Sequence, residues 1–186
     1  MHAQVLCFPP RRQPSRWEAP IDGAPAVSLR DAGSGDLPFL RRLYASSRAA
    51  ELATIPWPDT ARQTFCDSQF DLQHQHYVTH FVTADFLIVL QGHVPVGRLY
   101  LHEADKVLTI VDILLDDAVR GQGLGSALLR RLQQEVRERA LDALTLQVLM
   151  TNHAAHRLYE RHGFVVESDD AAMRLGMRWR PDAPSS

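Results

Sequence analysis

The sequence contains little that would place the protein outside a reducing interior. Only two of its 186 residues are cysteines, Cys7 and Cys66, which are too few for the disulfide framework of a small secreted protein. No apolar run approaches the roughly 20 residues that cross a bilayer. The N-terminus also lacks the basic start and apolar core of a secretory signal. We therefore expect a cytoplasmic protein with no membrane segment.

The sequence also lacks an excess of either charge. Its formal net charge of −2 argues against a general nucleic-acid binder. A hydrophobic content of 45% and a length of 186 residues suit one domain that buries a sizeable core. We predict that this domain spans residues 27–180. A Pro- and Arg-containing N-terminal extension at 1–26 is expected to lie outside the core, and a short C-terminal tail occupies 181–186.

Three glycines at alternate positions, Gly121, Gly123 and Gly125, form the most informative stretch. They follow a β-branched apolar run, and after them the apolar residues recur at every fourth position: Leu124, Leu128, Leu132 and Val136. A strand therefore passes into a helix at these glycines. The N–H groups of a first helical turn have no backbone partner, and the peptide dipoles add a partial positive charge there. Because glycines lack a Cβ atom, a phosphate can approach those groups, which predicts an anion-binding turn.

The identity of the anion is narrowed by what the turn does not contain. It has no Gly-Lys-Ser/Thr triplet for a Walker loop, and G-Q-G-L-G-S departs from the G-x-G-x-x-G of dinucleotide-binding proteins. The spacing Arg120-x-x-Gly123-x-Gly125 resembles the R/Q-x-x-G-x-G/A motif of the GNAT superfamily, the acetyl-CoA-dependent N-acetyltransferases. In that family the motif holds the pyrophosphate of coenzyme A. Taken alone, the six residues are equally compatible with a tight strand–helix connection.

A second motif in the right order strengthens the resemblance. The segment N-H-A-A-H-R-L-Y-E-R-H-G-F, from Asn152 to Phe164, is similar to the family pattern N-x-x-A-x-x-L-Y-x-x-x-G-F. The predicted element order, β, α, α, β, β, β, α, β, α, β, β over residues 27–179, is also the order that the family shows. The resemblance implies an α+β, three-layer fold of GNAT type, with a mixed, mostly antiparallel twisted sheet flanked by helices.

The resemblance further implies a reaction. An acetyl group would pass from acetyl-CoA, as co-substrate, to a primary amine of a small-molecule or peptide acceptor, by direct attack in a ternary complex and without a metal. The alternative is a non-catalytic acyl-CoA-binding or regulatory domain of the same fold. A homodimer is left open. The coenzyme-binding residues implied are Ile113, Leu114, Leu115, Arg120, Gly121, Gln122, Gly123, Leu124, Gly125, Ser126, Asn152 and Tyr159.

Within this set, backbone groups of residues 113–115 would pair with the pantetheine arm like an added strand. The side chain of Arg120 would either reach a phosphate or lie along the surface while the backbone binds. Asn152 would hydrogen-bond the pantetheine, and Tyr159 would lie near the sulfur as general acid. The alternative for Tyr159 is a core tyrosine on an amphipathic helix.

The general base is less well defined by the sequence. Asp112 is the tentative candidate, and strict alternation puts it on one face with Ile110 and Leu114. Because an unpaired carboxylate is costly to bury, Asp112 should have a partner or a catalytic task. A structural carboxylate is therefore an equal alternative. His102 and Glu103 are further candidates, as is deprotonation relayed by water.

Other polar residues near these motifs have simpler interpretations. Asp116 and Asp117 replace a proline that is frequent in the family, and we expect them to point to solvent. The cluster His74, His76 and His80 lacks the cysteines or carboxylates of a metal site, so a polar helix face is expected. The acceptor site of such folds is built from the first two helices and the later strand connections. Aromatic residues that could contribute to it, or to the core instead, are Trp57, Phe65, Phe70 and Tyr77.

Overall fold

The computed structural model describes residues 7–10, 16–17, 21, 27–170 and 173–181. Its elements follow the predicted order. The elements are β1 (Val27–Asp31), α1 (Leu37–Leu52), α2 (Asp59–His80), β2 (Asp85–Gln91), β3 (Val94–Ala104), β4 (Val107–Leu115), α3 (Leu124–Glu138), β5 (Ala143–Leu149), α4 (His153–Arg161), β6 (Val165–Asp170) and β7 (Arg174–Trp179).

All seven strands form one sheet in the order β1-β2-β3-β4-β5-β7-β6. Neighbouring strands are antiparallel except β4 and β5, which run parallel because α3 connects them as a crossover. Side chains of α3 and α4 join one core cluster on one face of the sheet, and those of α1 and α2 join a second cluster on the other face. The predicted three-layer α+β architecture is thus confirmed.

A β-bulge changes which way the residues of β4 face. Tyr100 of β3 pairs with Asp112, whereas the next residue, Leu101, pairs with Ile110, so Val111 is an extra residue in β4. The prediction that Asp112 shares a face with Ile110 is therefore wrong, because the bulge inverts the alternation at this point. Ile110 packs in the core under α3, while Asp112 faces α2.

The two parallel strands separate soon after they meet. Residues 107–110 of β4 pair with residues 143–146 of β5, and the remainder of both strands continues without mutual pairing. The hydroxyls of Thr109 and Thr145 lie 2.9 Å apart just before the separation. A gap therefore opens between the C-terminal ends of β4 and β5. It lies at the end of β4 that leads into the glycine turn.

The N-terminal extension contributes to the core, which corrects the expectation that residues 1–26 lie outside it. Trp17 and Ile21 are each only 1% exposed within the larger core cluster. The indole Nε1 of Trp17 donates to Asp85 at 2.7 Å, and the Phe8 ring contacts that of Phe86 at 5.4 Å between centroids. Residues 1–6, 11–15, 18–20 and 22–26 of the extension lie outside the described part of the chain.

Among the described residues, no helix combines the length and the apolar character needed to cross a membrane. The 22-residue helix α2 is long enough, but polar residues run along its length.

Candidate active site

The glycine turn has the conformation that its sequence predicts. Gly121 and Gly123 have φ angles of +73° and +83°, a region that residues with a Cβ atom rarely adopt. Gly123 immediately precedes α3, which starts at Leu124. A Cβ atom built on Gly121 or Gly123 would meet nothing within 4 Å. The space in front of the first turn of α3 is therefore open, and its N–H groups can accept an anion.

The third glycine has a different structural reason. A Cβ atom on Gly125 would lie 3.1 Å from Cδ2 of Leu158, which belongs to α4. Gly125 therefore lets α3 and α4 pack closely, so it couples the two sequence motifs through a helix–helix contact. The sequence pattern alone predicts the same phosphate-admitting role for all three glycines, and for Gly125 the structure gives helix packing as the reason.

Charged residues before the glycines stabilise the turn itself. Oδ1 of Asp116 accepts a hydrogen bond from the N–H of Ala118 at 2.9 Å, and Asp117 forms an ion pair with Arg120. Nε of Arg120 donates to the carbonyl of Leu115 at 3.0 Å. The Arg120 side chain thus lies back along the turn, and the exposed Asp117 points to solvent as expected.

Asn152 begins the second motif by capping α4. Its Oδ1 accepts a hydrogen bond from the N–H of Ala155 at 3.1 Å, which is the contact of an N-cap side chain. Because Oδ1 is engaged in the cap, the amide N–H groups are the part of Asn152 suited to a ligand.

Tyr159 is buried at the inner face of α4. The residue is 6% exposed, and its ring lies 5.7 Å from that of Phe164. Burial raises the pKa of Tyr159 to about 12, and the negative charge of Asp112 adds to the effect. The two side chains predicted to be catalytic therefore lie within electrostatic reach of each other.

Asp112 has a partner on β3 that the pattern of its own strand does not reveal. Nη2 of Arg98 lies 2.6 Å from Oδ2 of Asp112, and Arg98 also donates to Gln73 of α2 at 2.7 Å. Arg98 is 2% exposed. Burial lowers the pKa of Arg98, but the carboxylate of Asp112, together with Tyr100 and Tyr77, raises that pKa on balance. The available signal was an arginine in the otherwise apolar run V-G-R-L-Y.

The other candidate bases lie further from the glycine turn. Glu103 pairs with Leu108 near the start of β4, and Nη2 of Arg139 donates to it at 2.8 Å. The hydrogen bond from Arg139 lowers the pKa of Glu103. His102 lies opposite Thr109, and its ring contacts that of Phe81 at 5.5 Å. The structure therefore brings Asp112 toward Tyr159 but leaves Glu103 at the opposite end of β4.

A cavity of about 640 Å³ lies on the α2 side of the sheet, where β4 and β5 separate. Its lining includes residues from α2, β4, β5, β6 and β7. Aromatic, apolar and charged side chains meet in this lining, among them Tyr77, Phe81, Val111, Glu167, Arg174 and Arg178. The cavity lies beside the separated strands. A small molecule bound in it would reach the gap from the face of the sheet opposite α3.

The aromatic and histidine residues divide between this cavity and the core. Tyr77 and His76 line the cavity, whereas Phe70 is fully buried. His74 is 1% exposed and stacks on Phe70 at 5.6 Å, so its assignment to a polar helix face is wrong. Trp57 lies elsewhere, with its ring 5.4 Å from that of Phe65. In the described part of the chain, no three His, Cys, Asp or Glu residues are grouped to hold a metal ion.

Comparison with known proteins identifies the family. Residues 40–164, about two thirds of the chain, match the sequence model described as the acetyltransferase (GNAT) family. The chain belongs to the GNAT family. It is accordingly an acyltransferase of the N-acetyltransferase class.

Named relatives and solved structures agree with this assignment. The chain is 27% identical over 146 residues to L-methionine sulfoximine/L-methionine sulfone acetyltransferases of Pseudomonas paraeruginosa and Pseudomonas aeruginosa, covering 76% of this chain and 81% of each relative. The PaiA N-acetyltransferase of Thermoplasma acidophilum, solved in complex with coenzyme A, shares the fold with a TM-score of 0.65 at 16% identity, over 83% of this chain and 99% of that one. An acetyltransferase of Thermus thermophilus has a TM-score of 0.63 at 20% identity, over 85% of this chain and 99% of that one.

Proposed function

We propose that this GNAT enzyme transfers the acetyl group of acetyl-CoA to the amine of a small-molecule acceptor, by direct attack in a ternary complex. The observation that carries the proposal is the continuity of two features on one strand. β4 separates from β5 after Ile110, and the same strand then leads into the glycine turn at the start of α3. A gap for an extended arm and a site for its phosphates are thus adjacent.

The residues present fit the coenzyme. We assign the pyrophosphate to backbone N–H groups of residues 120–126, in front of which no side chain intrudes at Gly121 or Gly123. The pantetheine arm is assigned to the edge of β4 at residues 113–115 and to the amide of Asn152. Among the described residues, this edge has no partner strand on the β5 side. The complex of the Thermoplasma neighbour with coenzyme A supports this use of the fold.

The chemistry that the coenzyme supplies is a thioester whose carbonyl carbon accepts the amine nitrogen. A C–N bond forms, the C–S bond breaks, and the thiolate leaves. With its pKa raised to about 12, Tyr159 is protonated at neutral pH and can donate a hydrogen bond to the departing sulfur. Because a thiol has a pKa near ~8.5, we assign Tyr159 to stabilising the thiolate, with full proton transfer left to solvent.

The proton of the incoming amine needs a separate route. Asp112 was the tentative base, but its ion pair with the buried Arg98 supports the structural alternative. Glu103 is engaged by Arg139 at the far end of β4. We therefore propose that water in the cavity removes the amine proton, with the negative charge of Asp112 contributing only electrostatically.

Coenzyme binding is tested by thermal unfolding with acetyl-CoA, with ATP and NADH as control ligands. At ~100 times its dissociation constant, a ligand adds roughly 2.7 kcal/mol of apparent stability. Gly123→Ala should abolish most of the shift, since it places a methyl group at the anion site. Gly92→Ala is a matched control, because Gly92 also has a positive φ, +63°, with nothing within 4 Å, but lies in the β2–β3 turn.

A second measurement, thiol release from acetyl-CoA with a panel of amines, distinguishes an enzyme from a non-catalytic binding domain. A thermal shift with acetyl-CoA followed by amine-dependent thiol release supports the proposal. A shift without release for any amine would favour the non-catalytic alternative, which the relatives named above, all acetyltransferases, do not support. Absence of any shift in the wild type would refute the proposed coenzyme site.

A further inference from the structure

We propose that Arg174 binds a carboxylate of the acceptor, so that the substrate of this enzyme is an amine that also carries a carboxylate, such as an α-amino acid. The inference rests on the proposed acetyl transfer at the β4–β5 gap. It begins from the charges of the cavity beside that gap. Its lining holds two arginines, Arg174 and Arg178, and one glutamate, Glu167.

The two arginines differ in whether their charge is already neutralised. Nε of Arg178 lies 2.5 Å from Oε2 of Glu167, and Nη2 of Arg180 lies 2.9 Å from Oε1 of the same carboxylate. Arg174 forms no ion pair within the part of the chain that the structure describes. Among the described residues that line the cavity, Arg174 is therefore the arginine without an ion-pair partner. A guanidinium offers two parallel N–H donors, the geometry that a carboxylate accepts.

Arg174 is also close to the gap where the acetyl group would lie. In the sheet it pairs with Leu149, the last residue of β5, on the part of β5 that has separated from β4. Its charge acts on Tyr77 inside the cavity, opposing the effects of burial and Asp112, which together raise the pKa of that phenol. In an α-amino acid the amine is attached to the carbon next to the carboxylate. If Arg174 holds the carboxylate, that amine therefore lies beside the β4–β5 gap.

The rest of the cavity suits the side chain of an amino acid better than a further positively charged group of the acceptor. Tyr77, Phe81 and Val111 give it an apolar wall. With two arginines against one glutamate, a polyamine without a carboxylate would meet a cavity of its own charge sign. The Pseudomonas relatives are named for L-methionine sulfoximine and L-methionine sulfone, which are amino acids with polar side chains. Their names agree with the class inferred from Arg174.

The test compares two probes that differ only in the carboxylate: L-methionine sulfone and 3-(methylsulfonyl)propylamine. Amine-dependent thiol release gives kcat/KM for each probe with the wild type, Arg174→Gln and Arg180→Gln. Arg180 is a matched control because it is an exposed arginine just beyond the opposite end of the same strand, paired with Glu167 and outside the cavity lining. The acetyl-CoA thermal shift of each variant verifies that it is folded.

We expect the wild type to prefer the probe with the carboxylate by about 10- to 100-fold, the range for a hydrogen bond to a charged group. Arg174→Gln should reduce this preference to about threefold or less, while Arg180→Gln retains it. Equal use of both probes by the wild type, or an unchanged preference in Arg174→Gln, would overturn the assignment. Turnover of spermidine but of neither probe would leave the acetyltransferase intact and refute the carboxylate class.

A binding measurement decides the case in which no amine is turned over. Isothermal titration of the two probes, in the presence of coenzyme A, is carried out on the wild type and Arg174→Gln. Binding of L-methionine sulfone that depends on Arg174 would support the inference even though the proposed reaction had failed. Binding of neither probe, or binding unaffected by Arg174→Gln, would refute the inference independently of the reaction.

Discussion

Arg98 and Asp112 form an ion pair of 2.6 Å between Nη2 and Oδ2, next to the bulge at Val111. Arg98 is 3% exposed in its side chain and Asp112 17%, so both charges are largely removed from water. The pair joins β3 to the functional end of β4, and Gln73 ties it to α2. This position makes the pair a support for the β4 edge that we assign to the coenzyme.

Breaking this pair should destabilise the protein strongly. Arg98→Met and Asp112→Asn each remove one partner, and we expect each to lower the free energy of unfolding by about 3 kcal/mol, because the other group stays buried. The double variant should lose less than the sum of the two, with a coupling of about 1–3 kcal/mol in urea unfolding. Additive losses would show that the two side chains do not interact in solution.

The rate of Asp112→Asn distinguishes its structural role from that of a base. We expect kcat/KM to fall by less than about tenfold under conditions where the variant is folded, whereas loss of a general base costs about 100- to 10,000-fold. Initial rates over a range of pH provide the measurement. A larger loss, recovered as the pH is raised to deprotonate the amine in solution, would restore Asp112 to the role of base.

Tyr159→Phe should lower kcat by about 10- to 100-fold, because the departing thiolate loses its hydrogen-bond donor. Coenzyme affinity, measured by titration, should remain nearly unchanged, since the ring and its contact with Phe164 are kept. Tyr44→Phe is the control: Tyr44 is also buried, with its hydroxyl accepting from Arg48 at 2.9 Å, but it lies in the other core cluster. Equal effects of the two variants would remove Tyr159 from the mechanism.

Alkaline pH should destabilise the folded state through ionisation of the Tyr159 phenol. Burial raises the pKa of Tyr159 to about 12 in the folded state, against about 10 in the unfolded chain. The folded state therefore binds the proton more tightly, and stability is retained below pH ~10 and lost as the pH rises toward ~12. Between pH 9 and pH 11, Tyr159→Phe should reduce this alkaline loss by about 1–1.5 kcal/mol. Urea unfolding at pH 9 and at pH 11 checks it, and identical losses in wild type and variant would contradict it.

Trp17 tests whether the domain starts before residue 27. We expect Trp17→Ala to cost about 3–5 kcal/mol, because the side chain is 1% exposed and its removal leaves a cavity. Trp57→Ala, at a residue that is 38% exposed, should cost less than about 1 kcal/mol. Thermal unfolding of both variants, together with a chain that begins at Val27, provides the comparison. A stable truncated chain would show that the extension is dispensable for folding.

The sequence by itself determined the elements and the glycine turn. The patterns that predict them are local, so they are visible in neighbouring residues: alternation along the strands, apolar residues at every fourth position of α3, and glycines where the backbone turns. The cap at Asn152 and the crossover from β4 through α3 to β5 follow from the same local patterns. Two motifs at the expected separation then indicated the GNAT family, which the family comparison confirmed.

Tertiary structure decided the relationships that depend on register and on distant segments. The bulge at Val111 arises only when β4 pairs with β3, and it turns Asp112 toward Arg98 instead of toward the side of Ile110. Trp17 is buried because strands far along the chain provide its pocket, and no periodicity in its own segment reveals this. Arg174 lies beside the gap because β7 pairs with the end of β5. Sequence patterns report the conformation of a segment, whereas contacts between segments follow from how the whole chain packs.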